Sequence, residues 1–118
     1  HVADAVAVMY VGRLVETAET ETLYLNPKHP YTEALLSAVP KSDPDLRGLG
    51  QRIMLEGDVA NPARPPSGCY FHPRCRFAQP ICSAEAPALR DVGGEHYVAC
   101  HLADRLSLRG VVAEGIVR

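Results

Sequence analysis

Four cysteines in the second half of the chain are the residues best suited to carry chemistry. Cys69, Cys75, Cys82 and Cys100 are separated by five, six and seventeen residues. The loops between them hold little apolar surface with which to fold. A shared inorganic centre would order them, because metal-binding energy acts as folding energy. Thiolates select zinc or iron–sulfur clusters, and a four-sulfur site fits either.

The spacing separates these two alternatives only weakly. A structural zinc site usually draws two ligands from a knuckle with about two to four residues between them, and no such knuckle occurs here. Wider gaps suit a four-cysteine iron–sulfur cluster, although no proline follows the last cysteine as in a common bacterial ferredoxin run. Two disulfides in a secreted protein, or free buried thiols, are the further alternatives.

Side chains close to the cysteines in sequence would modify such a site. Three histidines are near enough to replace a cysteine ligand: His72, His96 and His101. Three arginines would offset the negative charge of a cluster or remain a solvated basic surface: Arg64, Arg74 and Arg76. Four aromatic residues are expected to cover the site from solvent: Tyr70, Phe71, Phe77 and Tyr97.

The elements that must position these residues begin with a strand hairpin. Apolar residues occupy both faces of residues 5–10, which is typical of a strand buried on two sides. Val11 and Gly12 predict a tight turn, and residues 13–17 a returning strand. A lone hairpin is marginal in water, so we expect this one to form the edge of a larger sheet.

Two short helices are predicted after the hairpin. Thr20 is expected to be the N-cap of the first helix, which runs through Tyr24. Pro30 suits the first position of the second helix, and Pro40 ends it. We interpret His29 and its neighbours as this helix start rather than as a contact for a partner subunit.

The rest of the chain has weaker periodicity. Residues 52–56 predict a short strand and residues 57–68 a proline-stiffened loop. Within the cysteine-bearing stretch, only residues 96–99 have an extended pattern. From Leu102 onward the sequence predicts a weak, frayed helix.

Charge and hydropathy exclude some functions. The formal net charge is -2, whereas a nucleic-acid-binding surface usually has a strong basic excess, so no nucleic-acid partner is expected. No apolar run approaches the roughly 20 residues that cross a bilayer, and no signal peptide opens the chain. The first residue is His1 rather than methionine, and we expect a piece of a longer protein.

Several segments resemble one family in the family's own order. They are residues 4–16 (DAVAVMYVGRLVE), 26–40 (NPKHPYTEALLSAVP), 55–59 (LEGDV), 61–62 (NP), 65–75 (PPSGCYFHPRC) and 98–101 (VACH). The first resembles the late strand hairpin of an ABC-type ATPase domain. The others resemble the peptide and nickel branch of these ATPases, including its C-terminal extension. The resemblance covers residues 1–103.

This resemblance implies a role in ATP-driven import of oligopeptides or dipeptides. The implied partners are the remainder of the chain's own ATPase domain, a second ATP-binding subunit and transmembrane permease subunits. The implied location is cytoplasmic, peripheral on the inner face of the cell membrane. The extension is similar to one that binds a [4Fe–4S] cluster, which implies Cys69, Cys75, Cys82 and Cys100 as its ligands, with zinc as the alternative. The cluster's role would be structural or regulatory, because four cysteines leave no open position for substrate.

The residues that hydrolyse ATP are missing from this sequence. It contains no G-x-x-x-x-G-K-[ST] phosphate loop, no acidic residue placed to hold Mg²⁺ and no ABC signature. Without them phosphoryl transfer loses its electrostatic stabilisation. We therefore expect ATP and Mg²⁺ only in the longer parent protein, and no ATPase activity from this segment alone.

The predicted fold class is α+β, with a hairpin and short helices followed by a loop-rich, cysteine-coordinated extension. Residues 1–40 would end the ATPase domain, 41–51 would be a linker, 52–103 the extension and 104–118 a tail. A free-standing zinc-binding interaction module is the alternative function, but a hairpin apolar on both faces argues against it. An electron-transfer protein is a weaker third hypothesis, because there is no second redox centre.

Overall fold

A computed structural model describes residues 4–38, 53–55, 57–108 and 110. A hairpin opens this part of the chain, with strand β1 at Ala5–Tyr10 and strand β2 at Arg13–Glu19. Val11 and Gly12 join them, with φ of 50° and 77°, so both turn residues are left-handed as a type I′ turn requires. The predicted hairpin is confirmed.

The two faces of β1 differ in their exposure. Val8 and Tyr10 are buried, whereas Met9 on the opposite face is 56% exposed. The prediction of a strand buried on both sides is therefore wrong for the chain as described. Side chains alternate across a strand, so a sheet covered on one side leaves the other set in solvent.

The hairpin is half of a four-stranded antiparallel sheet with the order β1-β2-β4-β3. Strand β3 is Arg90–Asp91 and strand β4 is Tyr97–Val98. Strand β4 pairs with β2 and β3, and the Ala99 amide donates to the Val15 carbonyl at 2.8 Å. The cysteine-bearing segment is thus joined to the hairpin by backbone hydrogen bonds.

Helices α1 (Thr20–Leu25) and α2 (Pro30–Ser37) follow the hairpin. Thr20 is not the N-cap of α1, because Glu19 occupies that position and the Thr20 hydroxyl donates to the Asp4 carbonyl at 2.8 Å. The predicted start of α2 at Pro30 is confirmed. Helix α2 is capped at its end by Ala38, and Pro40 lies outside the described residues.

The cysteine-bearing stretch has more regular structure than its sequence predicts. It contains a 3-10 turn at His72–Arg74, helix α3 at Pro80–Ala84 and strand β3. Residues 53–55 are the described part of the strand predicted at 52–56, and they form no strand, so that prediction is wrong there. The described part of the tail forms turns at 101–105 rather than a helix. The predicted linker lies outside the described residues.

An aromatic cluster joins the hairpin to the cysteine segment. Tyr10 of β1 meets Tyr31 of α2 and Phe71 edge to face, with ring centroids 4.8 and 5.2 Å apart. Phe71 is 1% exposed and lies between two of the cysteines in sequence. Such edge-to-face pairs add about 0.5–1.5 kcal/mol to the burial of the rings. The predicted α+β fold is confirmed in the mixture of one antiparallel sheet with short helices.

Candidate functional site

The four cysteines are brought together around one small cavity. All four are free thiols. Cys69 follows a loop, Cys75 ends the 3-10 turn, Cys82 lies in α3, and Cys100 follows β4. Six other residues complete the lining: His29, Pro30, Phe71, His72, His101 and Leu102. Four short elements that are separate in sequence therefore converge on one space.

A close backbone approach at Gly68 brings the first and third cysteines together. The Cys69 amide donates to the Cys82 carbonyl at 2.8 Å. Gly68 has φ of +70°, and a Cβ added there would lie 2.3 Å from the Cys82 carbonyl oxygen. Only glycine fits this position, because it tolerates the left-handed conformation and has no side chain to clash.

Backbone N–H groups favour the charged form of the cysteines. Those of Phe71 and His72 lower the pKa of Cys69, that of Phe77 lowers the pKa of Cys75, and that of Leu102 lowers the pKa of Cys100. The Gln79 amide donates to Cys82 Sγ at 3.4 Å. Hydrogen bonds of this kind stabilise the thiolate, which is the form that binds metals. These N–H groups therefore act against the effect of burial on the thiols.

Burial acts on the thiols in the opposite direction. It raises the pKa of Cys69 and of Cys75, and it raises the pKa of Cys100 to about 12. The charges of neighbouring cysteines raise these values further, since thiolates so close together repel one another. The raised pKa values keep Cys69, Cys75 and Cys100 protonated at neutral pH. A bound metal centre would displace the protons.

Two of the three candidate histidines lie at this site. His72 and His101 line the cavity, and each donates from one ring nitrogen to a backbone carbonyl, of Cys69 at 2.8 Å and of Glu85 at 2.7 Å. His96 does not line it, because its Nε2 donates to the buried carboxylate of Glu16. His96 is therefore excluded as a replacement ligand in this conformation.

The predicted basic and aromatic neighbours are only partly at the site. Arg76 is the arginine whose charge lowers the pKa of Cys75, and it also pairs with Glu33 at 2.8 Å. Phe71 is the aromatic residue that lines the cavity, and Phe77 packs against the core around Cys82 and Cys100. The remaining residues of both sets do not line the cavity: Arg64, Arg74, Tyr70 and Tyr97.

Four cysteines are the soft donor set that either a zinc ion or an iron–sulfur cluster would use. A single zinc needs its sulfurs about 2.3 Å from one point, whereas a cluster is held by four cysteines that bind different irons. Among the described residues, no group of three or more His, Cys, Asp or Glu side chains is arranged to hold a metal ion.

Glu16 is a functional residue that sequence reasoning missed. Its carboxylate is fully buried in β2 and accepts the amides of Lys28 at 2.8 Å and His29 at 2.9 Å as well as the His96 ring. It therefore ties the hairpin to the start of α2 and to the segment before β4. No local pattern in the sequence marked it, because its hydrogen-bond partners Lys28, His29 and His96 are distant along the chain.

The fold and the site define a class of protein. A strand hairpin is extended by a cysteine-bearing segment that continues its sheet. Residues 15–82 match the family described as oligopeptide/dipeptide transporter, C-terminal region. The chain belongs to this family, as the resemblance predicted.

Relatives with curated names agree with this assignment. The chain is 46% identical over 102 residues to the oligopeptide transport ATP-binding protein AppF of Bacillus subtilis strain 168, covering 86% of this chain and 31% of that protein. YkfD of the same strain, provisionally named an oligopeptide transport ATP-binding protein, has the same identity and coverage. A provisionally named peptide import ATP-binding protein of Brucella ovis is 49% identical over 100 residues, which cover 85% of this chain and 31% of that protein. The chain spans about a third of the length of these relatives. Within the described residues, no helix has the length and apolar character needed to cross a membrane.

Proposed function

We propose that this chain is the C-terminal part of the ATP-binding subunit of a peptide ABC importer. The observation that carries the proposal is the match of residues 15–82 to the transporter family, together with relatives named as peptide ATP-binding proteins. The phosphate loop, the Mg²⁺-binding acid and the signature would come from the preceding part of the protein. This segment alone would be inactive as an ATPase.

The exposed side of the hairpin supports docking to the rest of the ATPase domain. Met9 is exposed on a face that also carries Ala5 and Ala7, and β1 is an edge strand of the sheet. An apolar, unpaired edge strand tends to be covered by further structure. Residues 1–40 would then end the ATPase domain, residues 41–51 would link it to the extension at 52–103, and residues 104–118 would be a tail.

The proposed assembly follows from that placement. The subunit would pair with a second ATP-binding subunit and with transmembrane permease subunits, on the cytoplasmic face of the cell membrane. Reading the gene upstream of residue 1 tests this assignment directly. A phosphate loop followed by an ABC signature in frame supports the proposal, and a stop codon shortly before His1 would refute it.

We further infer that Cys69, Cys75, Cys82 and Cys100 hold a [4Fe–4S] cluster. The cluster would supply covalent cross-links between four chain segments, in a structural or regulatory role. What supports this is the cavity that the four cysteines share and the backbone N–H groups that favour their thiolate form. The zinc-binding interaction module remains the alternative. A free-standing module is disfavoured by the match of residues 15–82 to the transporter family.

Metal analysis of protein purified without oxygen distinguishes the two. We expect four iron and four sulfide per chain and a broad absorption near about 400 nm from thiolate-to-iron charge transfer. The variant Cys82→Ser should lose most of this iron, whereas the neighbouring Ser83→Ala, whose side chain is exposed, should retain it. A colourless protein with one zinc per chain would support the alternative instead.

A further inference from the structure

One polar group at the cysteine cavity has no hydrogen-bond partner among the residues that the structure describes. His29 is 1% exposed and lines the cavity, and its Nε2 makes no hydrogen bond. Buried ring nitrogens are normally hydrogen-bonded, because an unpaired donor has lost its water without replacement. This position therefore requires a physical explanation beyond packing.

The tautomer of the His29 ring follows from its other nitrogen. Nδ1 accepts the Tyr31 amide at 3.0 Å, which caps the N-terminus of α2. A nitrogen that accepts carries no proton, so in the neutral ring the proton is on Nε2. Nε2 is thus a hydrogen-bond donor without an acceptor.

The position of the ring is strongly constrained. The His29 amide donates to Glu16 Oε1 at 2.9 Å, and its carbonyl accepts the Glu33 amide at 3.1 Å. The ring also packs against Phe71, with centroids 5.8 Å apart. With Nδ1 held by the helix start, the edge of the ring that carries Nε2 is the one left for the cavity.

Capping does not explain the choice of histidine. Asparagine, aspartate and serine cap helices with a short side chain that ends at the position of the accepting atom. Histidine reaches further and adds a second, donating nitrogen. That nitrogen can donate a hydrogen bond only if an acceptor occupies the cavity.

We propose that His29 Nε2–H donates a hydrogen bond to a sulfur of the centre held by the four cysteines, and so makes that centre easier to reduce. The proposal rests on the cluster assigned under the proposed function. A donor to sulfur stabilises the more electron-rich, reduced state, and hydrogen bonds to the sulfurs set the potentials of such clusters. His29 is then a positioning residue that tunes the centre rather than a ligand.

Two substitutions separate the roles of the two ring nitrogens. His29→Asn keeps an acceptor near Nδ1 and so keeps the cap, but it has no donor at the position of Nε2. His29→Gln places an amide N–H near Nε2 but does not preserve the cap. Both would be made in the full ATP-binding subunit, purified without oxygen, and their iron and sulfide contents would be measured first.

The midpoint potential of the bound cluster is the deciding measurement. We expect His29→Asn to lower the equilibrium constant for one-electron reduction about tenfold, which is about 59 mV, while His29→Gln stays near the wild-type value. A purely structural role predicts the reverse order, because the Gln variant loses the cap. A wild-type potential in a loaded Asn variant would overturn the proposal.

A second measurement is made first on the wild-type protein. Pulsed EPR of the reduced wild-type protein, labelled with ¹⁵N-histidine, should detect a histidine ¹⁵N coupled to the cluster. This coupling should be absent in a loaded His29→Asn variant, which distinguishes it from His72 and His101. A cluster-containing wild-type protein without such coupling would overturn this proposal alone. A wild-type protein free of iron and sulfide would overturn the proposed cluster, and this inference with it.

Discussion

Replacing Gly68 by alanine should damage the cysteine site more than any other small substitution in its loop. The new methyl group would lie 2.3 Å from the Cys82 carbonyl oxygen and 2.8 Å from the Ser83 carbonyl carbon. The Cys82 oxygen already accepts the Cys69 amide. The clash can be relieved only by moving apart two backbone segments that each carry a sulfur.

The expected loss of folding free energy in Gly68→Ala has two contributions. An alanine with a left-handed backbone costs about 1–2 kcal/mol of folding free energy. Forcing a methyl group into a well-packed position typically costs about 1–3 kcal/mol more. The free energy of unfolding should therefore fall by about 2–5 kcal/mol in Gly68→Ala.

Gly94 provides a matched control. It has φ of +64°, close to the +70° of Gly68, but nothing lies within 4 Å of the position of its Cβ. Gly94→Ala should show only the backbone part, about 1–2 kcal/mol. The difference between the two variants isolates the close approach at the cysteine site.

The assay is urea unfolding of the reduced, iron-free protein, followed by anaerobic cluster reconstitution. Gly68→Ala should be the less stable variant and should bind substantially less iron, because Cys69 and Cys82 can no longer take up their positions together. Gly94→Ala should bind iron as the wild type does. Equal losses of stability in the two variants, or full iron loading of Gly68→Ala, would refute the reasoning.

Three further predictions follow from the contacts described. Glu16→Gln should lower the free energy of unfolding by about 3–5 kcal/mol, because it removes the charge of a buried, paired carboxylate. Glu19→Gln, at the exposed end of the same strand, is the control and should have little effect. Equal urea midpoints for the two variants would contradict this prediction. Burial lowers the pKa of His29 from 6.5 to about 4, so the unfolded iron-free chain binds the proton more readily than the folded chain. About 3 kcal/mol of folding free energy that is present above pH 6.5 should therefore be lost as the pH falls through 4. Urea titrations at several pH values check this, and His29→Asn should lack that part of the pH dependence. Cys75→Ser in the iron-loaded protein should make residues 60–101 more sensitive to limited proteolysis, since one ligand that orders these loops is removed; an unchanged digestion pattern would contradict a metal-held loop.

Much of the hairpin and the second helix could be predicted from local signals. The positive φ at Val11 and Gly12 follows from a tight two-residue turn, and Pro30 starts α2 because its ring suits the first helical position. The first helix was predicted with the wrong cap, because the Thr20 hydroxyl has a competing acceptor in Asp4, which is distant in sequence. Local preference is overridden where a tertiary partner is closer or better placed.

The elements of the cysteine segment were harder to predict for a simple reason. The extended pattern at 96–99 predicted β4, whereas β3 has two residues and α3 has five, so neither is long enough to show a hydrophobic period. These elements are stabilised by pairing with β2 and by packing, both of which depend on the path of the chain.

The sequence by itself determined the family, the four sulfurs and the left-handed turn of the hairpin, because each depends on residue identity over a short stretch. Only the tertiary structure decided what those residues contact. It placed the Glu16 carboxylate against His96, eighty residues away in sequence. It continued the hairpin into the cysteine segment and put the free Nε2 of His29 at the sulfur-lined cavity. Hydrogen bonds between residues so far apart leave no local pattern, because their geometry exists only after the chain has folded.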